Sequence, residues 1–275
     1  MLKIRIYAVI LFLFIILGCA KKAVVKEDSI LLSHKFQEGE ITKYEMTAII
    51  ATTMNIQNRM QDMTTNISFI ISNQIEKISG DTVFMKLSID KAEGSIKVSG
   101  MMQAIPDINK LKGKSSKVVL LKNGEVLDIK SDKEIEDAQD KGIELKDYVE
   151  NLYSFLPDKE LNIGDIWEKD SDDKGVHSQA VYTIIGLKED NNGKQVAIIS
   201  KESNESVSKE VDQGGMKGEI NISGKTKGKI FCSIKDGSVI SSNMHSAMEG
   251  KISGIMGDME IPIYTNQDVK IKKIK

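Results

Sequence analysis

The sequence predicts a mainly β (α+β) protein in which two similar curved antiparallel β-meanders are joined by a short helical segment. Three observations lead to this prediction. Most of the chain alternates apolar and polar residues or is rich in β-branched residues, which is typical of strands. One segment near the middle changes to helical spacing, and turn signals recur at a constant separation in the two halves.

The N-terminus has the three-part layout of an export signal. Lys3 and Arg5 precede an apolar run over residues 6–17. This run is shorter than the roughly 20 residues that cross a bilayer as a helix, so a permanent span is disfavoured. The run ends in Ile16-Leu17-Gly18-Cys19, which resembles the lipobox of bacterial lipoproteins.

The lipobox resemblance implies that residues 1–18 are a signal peptide and that Cys19 is acylated. Residues 19–29 would then be a tether, and the rest of the protein would be extracytoplasmic and held on a membrane by its lipid. Ala20, where aspartate would favour retention at an inner membrane, favours an outer-membrane location if the cell has two membranes. The alternatives are an ordinary cleaved signal with an incidental Cys19, or a short uncleaved anchor.

Residues 30–132 are predicted to form the first β repeat. The expected strands cover residues 44–56, 65–78, 82–89 and 95–98. Between them lie the turn signals Ser79-Gly80-Asp81 and Ala92-Glu93-Gly94. Asn123-Gly124 is typical of a two-residue hairpin. Successive strands joined in this way pair most simply as an antiparallel meander.

Residues 133–158 are predicted to be a helical connector. Ser131 and Glu134 have capping-box spacing, and Pro157 is expected to end the second of two short helices around Gly142. One apolar stripe at helical spacing consists of Leu145, Tyr148, Val149, Leu152 and Phe155. A helix with such a stripe must bury it, here on a face of the sheet.

Residues 159–275 are predicted to form a second β repeat that duplicates the first. Gly80 and Gly193 lie 113 positions apart, as do the hairpin glycines Gly124 and Gly237. The gapless alignment at this separation sets Ile71 against Ile184. Residues 36–41 match residues 161–166 at a separation of 125, which requires a loop of different length. The alternative is that any two meanders with glycine turns look alike.

Three motifs resemble an uncharacterised family of bacterial lipoproteins. They are Phe36-x-x-Gly39-x-x-x-x-Tyr44, the hairpin Lys122-Asn123-Gly124-Glu125-Val126, and the Leu-Pro…Gly-Asp-x-Trp pattern from Leu156-Pro157 to Gly164-Asp165-Ile166-Trp167. The resemblance spans most of the chain after the signal, and the family has no established activity to carry over. A looser similarity of architecture connects the predicted fold with periplasmic lipoprotein carriers, and fold alone does not license function.

Composition argues against several classes of function. The formal net charge is −2, whereas nucleic-acid binding needs a clustered basic surface. His34, His177 and His245 lack metal-ligand spacing, and no nucleotide-binding or nucleophile motif is present. We therefore expect no catalytic residue, no metal and no cofactor, and predict that the protein is not an enzyme.

Two further residue types are interpreted structurally. Cys232 lies among alternating apolar residues and is predicted to be a small buried hydrophobe. Trp167, the only tryptophan, is predicted to be a core anchor at the junction of the repeats, and the alternative is a ligand-stacking residue.

The 13 methionines and few aromatic residues suggest an adaptable apolar cavity, and the alternative is that the methionines fill an aromatic-poor core. The candidate ligand-lining residues are Met101, Met102, Tyr148, Leu152, Met244 and Met248. We expect a non-catalytic, membrane-anchored lipoprotein of the cell envelope that binds an apolar ligand such as a lipid or acyl chain. The alternative is a structural or assembly lipoprotein that docks an envelope protein.

Overall fold

The computed structural model describes residues 29–139, 145–157, 159–173, 175–190, 193–213, 216–254 and 257–275. Cys19, the predicted signal peptide and Gly142 lie outside these residues. The strands are β1 (Ile30–Leu31), β2 (Ile41–Ile56), β3 (Arg59–Ser79), β4 (Thr82–Val98), β5 (Met101–Ala104), β6 (Ser115–Leu121), β7 (Val126–Ser131), β8 (Glu160–Leu161), β9 (Ile166–Asp173), β10 (Val176–Glu189), β11 (Gln195–Gln213), β12 (Met216–Ser233), β13 (Val239–Gly254) and β14 (Gly257–Ile274). The helices are a 3-10 helix (Ile108–Leu111), α1 (Lys133–Gln139) and α2 (Leu145–Tyr153).

Within the described residues, twelve strands form one antiparallel sheet in the order β7-β6-β4-β3-β2-β14-β13-β12-β11-β10-β9, with β5 added to β4. The mainly β fold with a short helical segment is therefore confirmed. The two meanders share this sheet because the first long strand, β2, pairs with the last strand, β14, for example at Met46 and Ile271. β1 pairs separately with β8, so the start of the described chain is attached to the entry of the second meander.

One predicted break lies inside a continuous strand. The turn predicted at Ala92-Glu93-Gly94 is wrong, because β4 runs through it from Thr82 to Val98. A Cβ on Gly94 would lie 2.6 Å from the Ile105 side chain and 2.7 Å from that of Ile108. Glycine at this position therefore leaves room for the 3-10 helix to pack on the strand. In the sequence, such a glycine looks the same as a glycine in a turn.

The two meanders use the same turn chemistry. Gly39 donates its backbone N–H to Ile75 O over 2.8 Å, and Gly164 donates to Ile184 O over 2.7 Å. A β-bulge follows at Ile75/Lys77 in one hairpin and at Ile184/Gly186 in the other. Ile184 is thus equivalent to Ile75. The gapless alignment, which pairs Ile184 with Ile71, is wrong at this position because the β10–β11 hairpin is longer beyond the bulge than the β3–β4 hairpin. The boundaries of the repeats and of the connector stay predictions.

The core lies between α2 and one face of the sheet. Leu145, Tyr148, Val149 and Leu152 are all buried, as is Phe155 just after the helix, so the predicted helical stripe is confirmed. α1 begins at Lys133, after Asp132, whose carbonyl accepts from Ile135 and Glu136. The predicted capping box is wrong, because Ser131 is the last residue of β7 and its hydroxyl bonds Ser116.

Candidate ligand-binding cavity

A cavity of about 590 Å³ lies between α2 and the sheet. Its lining includes Asn123 and Glu125 from the β6–β7 turn and also Lys169 and Ser171 from β9. These segments belong to opposite ends of the sheet order, so the sheet must curl for them to face one space. α2 lies in the resulting concavity. The volume is in the range of roughly 300–1,000 Å³ that small-molecule sites occupy.

One wall of the cavity is apolar and comes from the seam between the two meanders. Inward-facing positions on adjacent strands supply it: Met46, Ala48, Ile50, Ile67, Met244, Val269 and Ile271. Alternation explains why these side chains share a face, since β2 contributes every second residue. The buried residues Tyr44 and Phe69 continue the same face into the core. The cavity is therefore an extension of the core in which the packing is incomplete.

The opposite wall is polar and comes from α2 and strands β9 to β12. Lys201 is its central cation: Nζ lies 3.3 Å from Asn151 Oδ1 and 6.0 Å from the ring centre of Tyr182. Burial lowers the pKa of Lys201, and the carboxylates of Glu205, Asp147 and Glu150 oppose that shift. The ammonium is therefore partly desolvated but surrounded by negative charge.

A buried polar cluster joins α2 to β3 beside the cavity. Asn73 on β3 is 2% exposed, and its side-chain nitrogen lies 3.3 Å from the hydroxyl of Tyr148 and 3.0 Å from that of Tyr153. Burial raises the pKa of Tyr153 to about 12. Both tyrosines therefore stay neutral and hydrogen-bonded in the interior, which fixes the register of the helix on the strand.

The end of α2 is held by a second set of contacts. Trp167 Nε1 donates to Phe155 O over 2.7 Å, and its indole stacks on Tyr182 with ring centres 5.5 Å apart. Trp167 is buried, so its prediction as a core anchor at the junction is confirmed. Its neighbour Tyr182 lines the cavity, so the fluorescence of the only tryptophan should respond to an occupant.

The predicted ligand-lining residues are brought together only in part. Tyr148 and Met244 line the cavity, whereas Leu152 is buried in the core beside it. Met101 and Met102, on the short strand β5, are 76% and 69% exposed. Sequence reasoning placed them with the others because methionine content carries no information about which strand face a residue occupies.

Met248 lines a different depression, of about 730 Å³, together with His177, Gln179 and Tyr264. His177 and Gln179 alternate along β10 with the cavity-facing residues Ser178 and Ala180. This depression is therefore on the other face of the sheet.

Sequence reasoning missed the most informative cavity residues. Lys201, Glu205 and Ala48 have no motif, and Lys201 is one lysine among many. The available signal was the alternation Met46-x-Ala48-x-Ile50, which predicts a shared face but does not show that the face is left uncovered.

Other chemistry is limited in the part of the chain that the structure describes. Cys232 is free and fully buried, which confirms its prediction as a small hydrophobe, and burial raises the pKa of its thiol. Within the described ranges no three His, Cys, Asp or Glu side chains are grouped to hold a metal ion. Among the same residues, no helix has both the length and the apolar character needed to cross a membrane.

The fold and the cavity define the class of protein: one curled antiparallel sheet that holds a short helix over its concave face with a cavity between them. A model of a family of unknown function, DUF6263, matches residues 141–239, which agrees with the predicted resemblance to an uncharacterised family. This match covers α2 and the second meander as far as the start of β13. No curated protein shows significant similarity to the chain.

Among solved structures, one described as "Lipid-protein interactions in lipovitellin" is similar in fold, with a TM-score of 0.55 and 10% sequence identity. The match covers 88% of this chain but only 26% of that chain, so this protein spans about a quarter of its length. An outer membrane channel from Pseudomonas putida F1 matches with a TM-score of 0.27 and 8% identity, over 88% of this chain and 98% of that chain. DynF from the dynemicin biosynthesis pathway of Micromonospora chersina matches with a TM-score of 0.24 and 7% identity, over 90% and 86%. The last two scores are too low to indicate a common fold.

Proposed function

We propose that this chain is a non-catalytic, membrane-anchored lipoprotein of the bacterial cell envelope that binds a lipid or another molecule with an acyl chain in the cavity under α2. The observation that carries the proposal is the cavity itself. Its apolar wall, around Met46, Ala48 and Ile50, is inside the protein but not filled by other side chains. Exposing such a wall to water is unfavourable by about 25 cal/mol for each Å², and an apolar ligand would cover it.

The two walls together favour an amphiphile over a purely apolar molecule. Polar groups such as Lys201, Asn151 and Thr226 line the space opposite the apolar strands. A purely apolar ligand would displace water from these groups and leave them only the partners within the protein, Asn151 for Lys201 and Ser246 for Thr226, and such desolvation of polar groups is costly. The likeness in fold to lipovitellin, whose structure is described through its lipid–protein interactions, supports the same class of ligand.

A cavity-filling substitution tests this proposal. Ala48 lines the cavity, whereas Ala51, three residues along β2, is exposed on the other face. Native mass spectrometry of the full-length protein from its own host should show an amphiphile bound to the wild type and to Ala51→Trp. In Ala48→Trp we expect the affinity for an added amphiphile to fall about tenfold, which corresponds to a loss of roughly 1.4 kcal/mol. Thermal unfolding would show whether both variants fold.

Two results would overturn ligand binding. One is a wild-type protein that carries no amphiphile and takes up none when acyl compounds are added. The other is equal occupancy in Ala48→Trp and Ala51→Trp. An envelope protein that co-purifies in stoichiometric amount with a ligand-free chain would support the alternative, a structural or assembly lipoprotein.

Membrane anchoring is proposed from Cys19 and tested separately. We expect Cys19→Ala to remove labelling by radioactive palmitate and to release the protein from the membrane fraction, since the acyl chains supply the binding. Cys232→Ala is the matched control, because this thiol is buried and its loss should leave labelling unchanged. Equal labelling of Cys19→Ala and the wild type would refute the anchor.

A further inference from the structure

The charged residues that line the cavity are predominantly acidic. Two lysines, Lys169 and Lys201, face the space. Among the described residues, four carboxylates face it as well: Glu125, Asp147, Glu150 and Glu205. Asp170 borders the space, but it pairs with Gln179 and so points to the other face of the sheet. Lys146, outside the lining, lies 3.6 Å from Glu150 and offsets part of that charge. Even with this lysine counted, carboxylates outnumber cations.

The excess is concentrated at the polar end, around Lys201. Three of the four carboxylates, those of Glu205, Asp147 and Glu150, act on the Lys201 ammonium. Glu205 is held by a hydrogen bond of 2.8 Å from the Ser203 hydroxyl. The same negative field reaches Tyr182, where burial and then Glu205 and Glu150 raise the pKa of the phenol.

Lys201 is therefore already compensated within the protein. Its ammonium has Asn151 as a hydrogen-bond partner and three carboxylates around it, so an incoming carboxylate or sulfate would meet net negative charge. In a partly desolvated site a charge of the wrong sign is penalised more than in water, because the effective dielectric constant is lower. An incoming ammonium group would be attracted by the same carboxylates.

We propose, on the basis of the ligand-binding function above, that the cavity selects amphiphiles whose polar end carries an ammonium group, and that Glu150 and Glu205 determine this selectivity. Simple fatty acids and other amphiphiles with only an anionic end are disfavoured. The apolar wall from Met46 to Ile50 takes the chain, and the acidic wall takes the head.

Chain-matched amphiphiles test the inference. The full-length protein, kept in an uncharged maltoside detergent, is titrated with tetradecyltrimethylammonium, with tetradecanoate and with an uncharged monoglyceride of the same chain. Binding is followed by native mass spectrometry and by the fluorescence of Trp167. We expect the ammonium compound to bind at least about tenfold more tightly than the carboxylate, because the acidic wall attracts a unit positive charge and repels a unit negative charge.

Variants assign the selectivity to the acidic wall. Glu150→Gln combined with Glu205→Gln should reduce the preference for ammonium to about twofold or less, while binding of the uncharged monoglyceride is retained. The matched control is Glu202→Gln, on the outward-facing side of β11, where Glu202 pairs with Lys227 at 3.2 Å. This control should keep the preference of the wild type.

The three compounds separate the selectivity of the cavity from its ability to bind a ligand at all. If the uncharged, cationic and anionic compounds all bind equally well, or the carboxylate binds more tightly, the selectivity is refuted and ligand binding stands. If none of the three binds, the proposed function itself fails. A preference for ammonium that survives in the double variant would also refute the role of Glu150 and Glu205.

Discussion

Replacing Gly124 with alanine should destabilise the protein by about 4 kcal/mol, because two separate costs coincide at this hairpin glycine. Gly124 has φ +89°, a conformation that side chains disfavour. A Cβ there would also lie 1.8 Å from Tyr153 O, at the end of α2. His34 donates to that carbonyl over 2.7 Å, and Ser154 Oγ donates to Gly124 O over 2.6 Å. The turn and the helix end therefore cannot separate without breaking these bonds.

A second glycine provides the matched control. Gly113 has φ +80°, but a Cβ there would meet nothing within 4 Å. Gly113→Ala should therefore show only the backbone cost, about 1 kcal/mol. Urea denaturation followed by Trp167 fluorescence would measure both free energies of unfolding. Equal losses in the two variants would contradict the close approach of turn and helix.

The equivalent glycine of the second meander should behave like Gly124. Gly237 has φ +69°, and a Cβ on it would lie 2.4 Å from Ser33 O. The backbone N–H of Lys35 donates to Asp236 O in the same turn over 3.0 Å. The hairpin turns at Gly124 and Gly237 thus both lie against the segment around His34.

Replacing Asn73 with leucine should destabilise the protein by about 3 kcal/mol, because two buried tyrosine hydroxyls lose their partner. The side chains of Tyr148 and Tyr153 are buried in the core, and both hydroxyls bond Asn73. Leucine has the same branching and the same number of side-chain heavy atoms but no polar atom, and its methyl groups make it larger than asparagine. The cost is therefore one of unpaired hydroxyls rather than of an empty space.

The same reasoning predicts a rescue. Adding Tyr148→Phe and Tyr153→Phe to Asn73→Leu removes the unpaired hydroxyls, so the triple variant should recover at least about 1.5 kcal/mol of the loss. Asn243→Leu, at an exposed position on β13, is the control and should change stability by no more than about 0.5 kcal/mol. Denaturant unfolding of the four proteins completes the test. A triple variant less stable than Asn73→Leu would show that the hydroxyls contribute through other contacts.

The success of the fold prediction has a local cause. Alternation along β2 and β3, the hairpin turns at Asn123-Gly124 and Asp236-Gly237, and the stripe of α2 all depend on residues close together in the chain. Each of these features is present in the structure. The turn predicted at Ala92-Glu93-Gly94 is wrong because Gly94 is needed for close packing against Ile105 and Ile108. No local sequence pattern reveals this packing.

Local sequence patterns were enough to predict the β-rich character of the chain, the helical segment, the hairpin turns at Gly124 and Gly237, and the burial of Trp167 and Cys232. The pairing of β2 with β14 that joins the meanders into one sheet, and the strand faces that surround the cavity, are set by the three-dimensional arrangement. It also separated Met101 and Met102 from Tyr148 and brought Lys201 beside Glu150. These features are non-local because a strand's alternation defines its two faces, whereas its neighbour and the direction in which the sheet curls depend on pairings between distant residues.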